Sequence, residues 1–283
     1  MFSKKSNKVS EYSMRILESK HIRDVLKHCT YNSMVIFDLD NTIVESAQEL
    51  GGDQWFVNFI EYAAGIIVDR AEAISVVLGV YHAVQYHVDL RAVQSEAMRI
   101  IQILQDVGIP VLALTARSTN ISEPTLRQLD KLGIQFSKQW DDEVFVVLRE
   151  SQHVSIFEQG VVFCDGLDKG RCLDAFLKYK QLSPQHVVMM DDKEKYLWSV
   201  DSIMRTFDAQ FIGLRYGYLD EKVKAFNLEK SMQELTEIAH ELPKEIQSHL
   251  NRLNISMFST KRVQEPIIHL SPTSIDIGHP GMG

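Results

Sequence analysis

A chain of 283 residues is long enough to bury one large core or two small ones, and 45% hydrophobic with 24% charged residues is an ordinary globular composition. The formal net charge of −8 excludes a global attraction to nucleic acid or to anionic membrane surfaces. Three scattered cysteines, Cys29, Cys164 and Cys172, make neither a Cys-x-x-Cys pair nor a disulfide framework, which argues against zinc-ribbon and thioredoxin chemistry and for a reducing compartment.

The opening residues are polar, without the apolar stretch of a signal peptide, and the longest apolar stretch is interrupted by Asp69, Arg70 and Glu72. The expectation is a cytoplasmic protein. Met14, Leu17, Ile22, Val25 and Leu26 fall near helical spacing, so Ser10 to Lys27 is predicted as an amphipathic helix, within an N-terminal unit of residues 1–30 packed on the core. Met34-Val35-Ile36-Phe37 is apolar at every position, as in a parallel strand buried on both faces, and it runs into Asp38-Leu39-Asp40. Glu49 to about Gln85 opens on Gly51-Gly52 and shows no strand alternation; it reads as helices inserted after the first strand. Arg91 to Val107 carries the stripe Val93, Ala97, Ile100 and Leu104 and is stopped by Gly108. The strand Val111 to Leu114 follows and ends at Thr115.

Pro124 begins a short helix closed by Gly133. Val144 to Leu148 and Val161 to Cys164 are short apolar strands with room for a hairpin between them. A helix from Lys169 to Tyr179, a strand Val187 to Met190 entering Asp191-Asp192, a helix with Leu197, Val200 and Ile203, and a last strand Phe211 to Leu214 complete the alternation. Strands alternating with helices predict an α/β, doubly wound, mostly parallel sheet over residues 31–218, interrupted by a helical cap insertion at about 47–88. Residues 219–262 form a C-terminal helical extension that Pro243 splits or kinks, and the Pro- and Gly-rich residues 263–283 read as a flexible tail.

The polar signals Asp38/Asp40, Thr115, Lys169 and Asp191/Asp192 each follow an apolar strand. The carboxyl ends of parallel strands converge on one crevice, so residues far apart in sequence meet there. Taken singly, each has a plain structural explanation. Aspartate caps helices and makes Asx turns, and threonine is common at strand ends. Arg117 reads first as an exposed strand-end arginine and second as a substrate contact. His82 and His87 lack the His-Glu-x-x-His arrangement of a zinc protease and read as partly buried histidines.

Phe37-Asp38-Leu39-Asp40-Asn41-Thr42, Leu114-Thr115-Ala116-Arg117, Asp168-Lys169-Gly170 and Met190-Asp191-Asp192 resemble, in the right order, the motifs of the haloacid dehalogenase (HAD) superfamily, whose sheet is Rossmann-like. The resemblance covers about residues 34 to 215. It implies that Asp38 is a nucleophile forming an aspartyl phosphate and that Asp40 is the general acid/base. It implies further that Thr115 and Lys169 bind phosphoryl oxygens, and that Asp38, the Asp40 backbone carbonyl, Asp191 and Asp192 hold Mg2+. Asp40 favours phosphoester hydrolysis over carbon–halogen cleavage. In this superfamily insertions after the first strand control substrate access, and Trp55 and Phe56 either face the crevice or belong to the core of the insertion.

Gly51 to Trp55 and Gly166 to Lys169 are similar to a bacterial subgroup that includes effector phosphatases acting on phosphotyrosine. The expected function is therefore a Mg2+-dependent phosphomonoester hydrolase, in one form a protein tyrosine phosphatase. Such an effector is delivered into a host cell. The alternatives are a phosphatase of small phosphometabolites or nucleotides, and a non-catalytic protein using the scaffold for binding. The expected partner is a phosphorylated substrate and not nucleic acid. Residues 219–283 are a candidate membrane- or partner-docking element, weighed against a packed pair of C-terminal helices.

Overall fold

The computed structural model describes residues 15–259. An eight-stranded sheet runs in the order β1-β10-β9-β2-β5-β8-β7-β6. Its strands are β1 (Arg15–Ser19), β2 (Ser33–Phe37), β5 (Val111–Thr115), β6 (Phe145–Glu150), β7 (His153–Glu158), β8 (Val161–Phe163), β9 (His186–Asp191) and β10 (Gln210–Tyr216). All neighbours from β1 to β8 pair in parallel, whereas β8-β7-β6 form an antiparallel meander. The predicted α/β class is the observed one.

Alternation along the strands divides the core between two faces. Val35, Phe37, Val111, Ala113, Val188 and Met190 point to one side, where they meet α3 (Ala97–Asp106) and α4 (Ser122–Lys131). Met34, Ile36, Leu112, Leu114, Val187 and Met189 point to the other, against α5 (Lys169–Tyr179) and α6 (Glu194–Thr206). β2 lies between β9 and β5, buried at all five positions, so the residues that follow it emerge at the centre of the sheet's carboxyl edge.

The predicted N-terminal helix is corrected. Residues 15–19 are the edge strand β1, parallel to β10, followed by a 3-10 turn at Ile22–Lys27; residues 10–14 lie outside those described. The apolar spacing suited a helix, but Leu17 packs toward one face of the sheet and Ile16 toward the other, and β10 supplies the backbone hydrogen bonds. The helix expected over Arg91 to Val107 begins only at Ala97. Leu90–Ala92 instead forms β4, antiparallel to β3 (Val44–Ser46), making a two-stranded ribbon at the base of the insertion. The strand β7 fills the gap left between the two short apolar strands.

The insertion holds α1 (Asp53–Ala64) and α2 (Arg70–Val84). After β10 come α7 (Asp220–Lys224), α8 (Leu228–Ile238) and α9 (Lys244–Arg252), with Pro243 at the N-cap of α9. The insertion and C-terminal helices share one hydrophobic cluster separate from both faces of the sheet, with Trp55, Phe59, Val77 and Val80 against Met232, Leu235, Leu242 and Leu250. Tyr62 Oη donates to Leu253 O (2.9 Å), and Glu234 Oε2 accepts the Leu50 N–H (2.8 Å). The apolar faces of α8 and α9 are thus used within the molecule, and the predicted tail lies outside the described residues. Among those residues no helix is long and apolar enough to cross a membrane.

Candidate functional site

Asp38 leaves the end of β2, its backbone N–H held by Met190 O (3.0 Å). Three features fold the next residues over it. Asn41 takes a left-handed conformation (φ 60°), Asp40 bridges Val44, and the N–H groups of Thr42, Ile43 and Val44 all reach Leu39 O. Asparagine tolerates this backbone better than most residues. The turn brings Thr42 Oγ1 to Asp38 Oδ2 (3.3 Å) and under the Asp192 N–H (3.1 Å), so it ties the ends of β2 and β9 together. Asn41 Nδ2 donates to Asp192 Oδ2 at 3.3 Å.

Lys169, fully buried, donates to Asp38 Oδ1 at 2.6 Å and to Asp191 Oδ2 at 2.7 Å. Its position is fixed by the start of α5. Asp168 caps the helix by accepting the Arg171 N–H (2.9 Å), and Ser199 Oγ on α6 lies 2.7 Å from both Asp168 carboxylate oxygens and accepts the Gly170 N–H (2.9 Å). At Gly170 an added Cβ would lie 2.5 Å from Ser199 O, so α5 and α6 touch there backbone to backbone.

Carboxylate oxygens of Asp38, Asp191 and Asp192 lie within 4.8 Å of one another. Burial is the main force raising the Asp38 carboxyl well above the usual range; Lys169 opposes it, and Asp191, Asp192 and Asp40 add to it. Asp192 is pushed up to about 7, by burial and then by Asp191. Lys169 is raised as well: burial disfavours its charge, but Asp191 and Asp38 hold its ammonium above the ordinary lysine range. The carboxylates therefore outweigh the cations among them. A set of hard oxygen donors with surplus negative charge fits a divalent cation such as Mg2+.

Thr115, at the end of β5, is buried, and its Oγ1 accepts the Arg117 N–H (3.2 Å). Arg117 corrects its first reading: the side chain is 2% exposed and grips Asp40 with two bonds, Nε to Oδ2 (2.9 Å) and Nη2 to Oδ1 (2.8 Å). Its Nη1 donates to Thr125 Oγ1 on α4 (2.9 Å). Burial alone would raise the Asp40 carboxyl, but Arg117 outweighs it and holds Asp40 below the usual range.

Trp55 takes its core alternative, wholly buried and stacked on Phe59 at 5.2 Å; neither it nor Phe56 hydrogen-bonds to the acidic cluster. Sequence reasoning left out four neighbours. Lys193 donates its backbone N–H to Asp191 Oδ1 (2.8 Å) and its ammonium to Asp53 Oδ2 on α1 (2.6 Å). Tyr196 lays its ring 4.3 Å from Lys169 Nζ. Tyr81 of α2 is near enough for the charges of Arg117 and Asp40 to act on its phenol, which burial holds above the usual range. Lys193 was legible as the residue after the double aspartate and Asp53 as the aspartate of the Gly51 to Trp55 segment, whereas Tyr196 and Tyr81 gave no signal separable from ordinary helix residues.

The family model described as "Protein of unknown function (DUF2608)" matches residues 17–255. A "Putative outer membrane protein" of Chlamydia trachomatis is 23% identical over 211 residues, 74% of this chain and 79% of that one. An "Uncharacterized protein" of Rickettsia prowazekii is 25% identical over 209 residues, 71% and 75% of the two chains. Among solved structures, a hydrolase from Streptococcus pneumoniae described as a haloacid dehalogenase-like family protein aligns at a TM-score of 0.40 and 12% identity, covering 70% of this chain and 100% of that one.

Proposed function

The chain belongs to the DUF2608 family, whose description names no chemistry, and from the site itself we propose a Mg2+-dependent phosphomonoester hydrolase of the HAD type acting through Asp38. The observation that carries this reading is the meeting of Asp38 and Asp191, from two neighbouring strand ends, with Lys169 from the start of α5 in one buried, hydrogen-bonded cluster that has Asp192 beside it. Mg2+ held by Asp38, the Asp40 carbonyl, Asp191 and Asp192 would supply positive charge against the phosphoryl oxygens.

The chain's own residues supply the remainder. Asp38 Oδ1 is engaged by Lys169, and Oδ2, with only the long contact from Thr42, is the freer oxygen to attack phosphorus. As the Oδ2–P bond forms, the bond from phosphorus to the leaving oxygen breaks, and Asp40 gives that oxygen a proton. Water then attacks phosphorus, its proton returns to Asp40, and Asp38 is freed. The Arg117 clamp favours ionised Asp40, so Asp40 loosens one arm of the clamp when it carries a proton. The Thr115 hydroxyl accepts from Arg117 and keeps its own proton to donate to a phosphoryl oxygen.

Enclosure of the site favours small phosphomonoesters: Asp38 is 5% exposed and Lys169, Thr115 and Asp191 are fully buried. Within that class an aryl phosphate, phosphotyrosine included, is favoured by the Tyr196 ring beside Lys169. The test is hydrolysis of para-nitrophenyl phosphate with Mg2+ or with EDTA, native against Asp38→Asn. Activity that needs both the metal and Asp38 supports the reading; Mg2+-independent activity, or activity that survives in Asp38→Asn, refutes it.

A further inference from the structure

Two hydrophobic clusters line the sheet, and a third contains no strand residue and joins α1 and α2 to α8 and α9. This third body, a four-helix roof, meets the carboxyl edge of the sheet where Asp53 of α1 pairs with Lys193 after β9. It is stitched internally by Arg252–Glu72 (2.7 Å) and by Tyr62 Oη on Leu253 O, and a Cβ added at Gly79 of α2 would lie 3.6 Å from the Ile246 side chain of α9. A body with its own core moves as a unit.

Its polar ties to the sheet body differ in place. Gln128 of α4 donates to Gln85 O (3.0 Å) and Val88 O (2.8 Å), and Lys131 pairs with Asp89, all at the C-terminal end of the insertion. The Asp53–Lys193 pair, 2.6 Å, is different: it joins the first residue of α1 to the loop bearing Asp191 and Asp192. The two side chains keep 35% and 26% exposure, and a pair this open is made and broken readily.

We propose that Asp53 and Lys193 are specificity-determining residues: their pair latches the composite roof shut over the crevice, and it selects phosphomonoesters by the size of the leaving group. The proposal rests on the phosphatase reading. A small ester fits beneath the latched roof. A phosphopeptide holds the roof open and works against the latch. The C-terminal helices belong to the specificity apparatus because they share the roof's core.

The test uses the full chain as Asp53→Asn and Asp53→Glu. Asp53→Asn is expected to raise kcat/KM for a phosphotyrosyl peptide relative to para-nitrophenyl phosphate by about 1.5-fold to fivefold, the range for losing one such pair. Asp53→Glu, which keeps the charge, is expected to hold near the native ratio. Independently of activity, amide hydrogen exchange in Asp53→Asn is expected to quicken together in α1, α8 and α9 while β2 and β9 are unchanged. An unchanged substrate ratio in Asp53→Asn overturns size selection, and exchange quickening in α1 alone overturns the composite roof. If no form hydrolyses either substrate, the phosphatase reading and size selection fail together, and the exchange pattern still decides the latch.

Discussion

Lys169→Met tests the electrostatics of the site without requiring its chemistry. Lys169 is fully buried and, among the described residues, is the one side chain bonded to both Asp38 and Asp191. Methionine keeps most of its volume and removes the charge, leaving two buried carboxylates facing each other with Asp192 beside them. Breaking a buried pair in this way costs about 3–5 kcal/mol at neutral pH. At roughly 2–4 °C per kcal/mol for a chain of this size class, Tm falls by about 6–20 °C. The sign of the pH dependence follows from the carboxyl groups. The Asp38 carboxyl, already held well above 3.8, is raised further without Lys169, so the unfolded state gives up its proton first and folded stability is lost as pH rises above that value. The deficit should therefore be small near pH 4 and grow toward pH 8. Mg2+ should restore more Tm in the variant than in the native protein, because it supplies the missing positive charge. Scanning calorimetry at several pH values, with and without Mg2+, reads all three effects. A variant as stable as the native chain at pH 8, with no added response to Mg2+, would refute this account of the cluster.

Further outcomes follow from the same geometry. With Asp192 at about 7 in the metal-free site, a proton competes with Mg2+, and apparent affinity should rise about tenfold from pH 6 to pH 8 by titration calorimetry; a flat profile contradicts the position of Asp192 in the cluster. Gly170→Ala pushes a methyl group against Ser199 O, shifting the start of α5; kcat should fall at least as steeply as stability, and an unaltered kcat means that this crossing does not position Lys169. Arg117→Met releases Asp40 from its clamp, so the alkaline limb of the kcat/KM profile, where the acid Asp40 loses its proton, should move to higher pH; a limb that stays in place would mean Arg117 does not set the Asp40 titration.

Asp38, Thr115 and Asp191 were legible because each sits at the end of a strand apolar enough to declare itself, and parallel topology forces such ends together. β2 and β9 are examples: their runs mark both strand and outlet, and they pair side by side. The edge strand β1 was not legible. A five-residue segment with helical apolar spacing is turned into a strand by β10, a partner about two hundred residues away. Arg117 was misjudged for a related reason, since the half-buried carboxylate that holds it, Asp40, is 77 positions distant and no local pattern marks the pair. The roof was half legible. The insertion and the C-terminal helices could each be read as amphipathic, but amphipathic faces do not say which partner covers them.

The central claim is that Asp38 becomes covalently phosphorylated. The most direct measurement is to quench the enzyme with borohydride during turnover of para-nitrophenyl phosphate and Mg2+, then sequence the peptide spanning residue 38 by mass spectrometry. An aspartyl phosphate is reduced to homoserine, so the account predicts homoserine at position 38 in the native chain only while substrate is present. Rapid turnover with unmodified aspartate at position 38, or with homoserine at another aspartate, would contradict it.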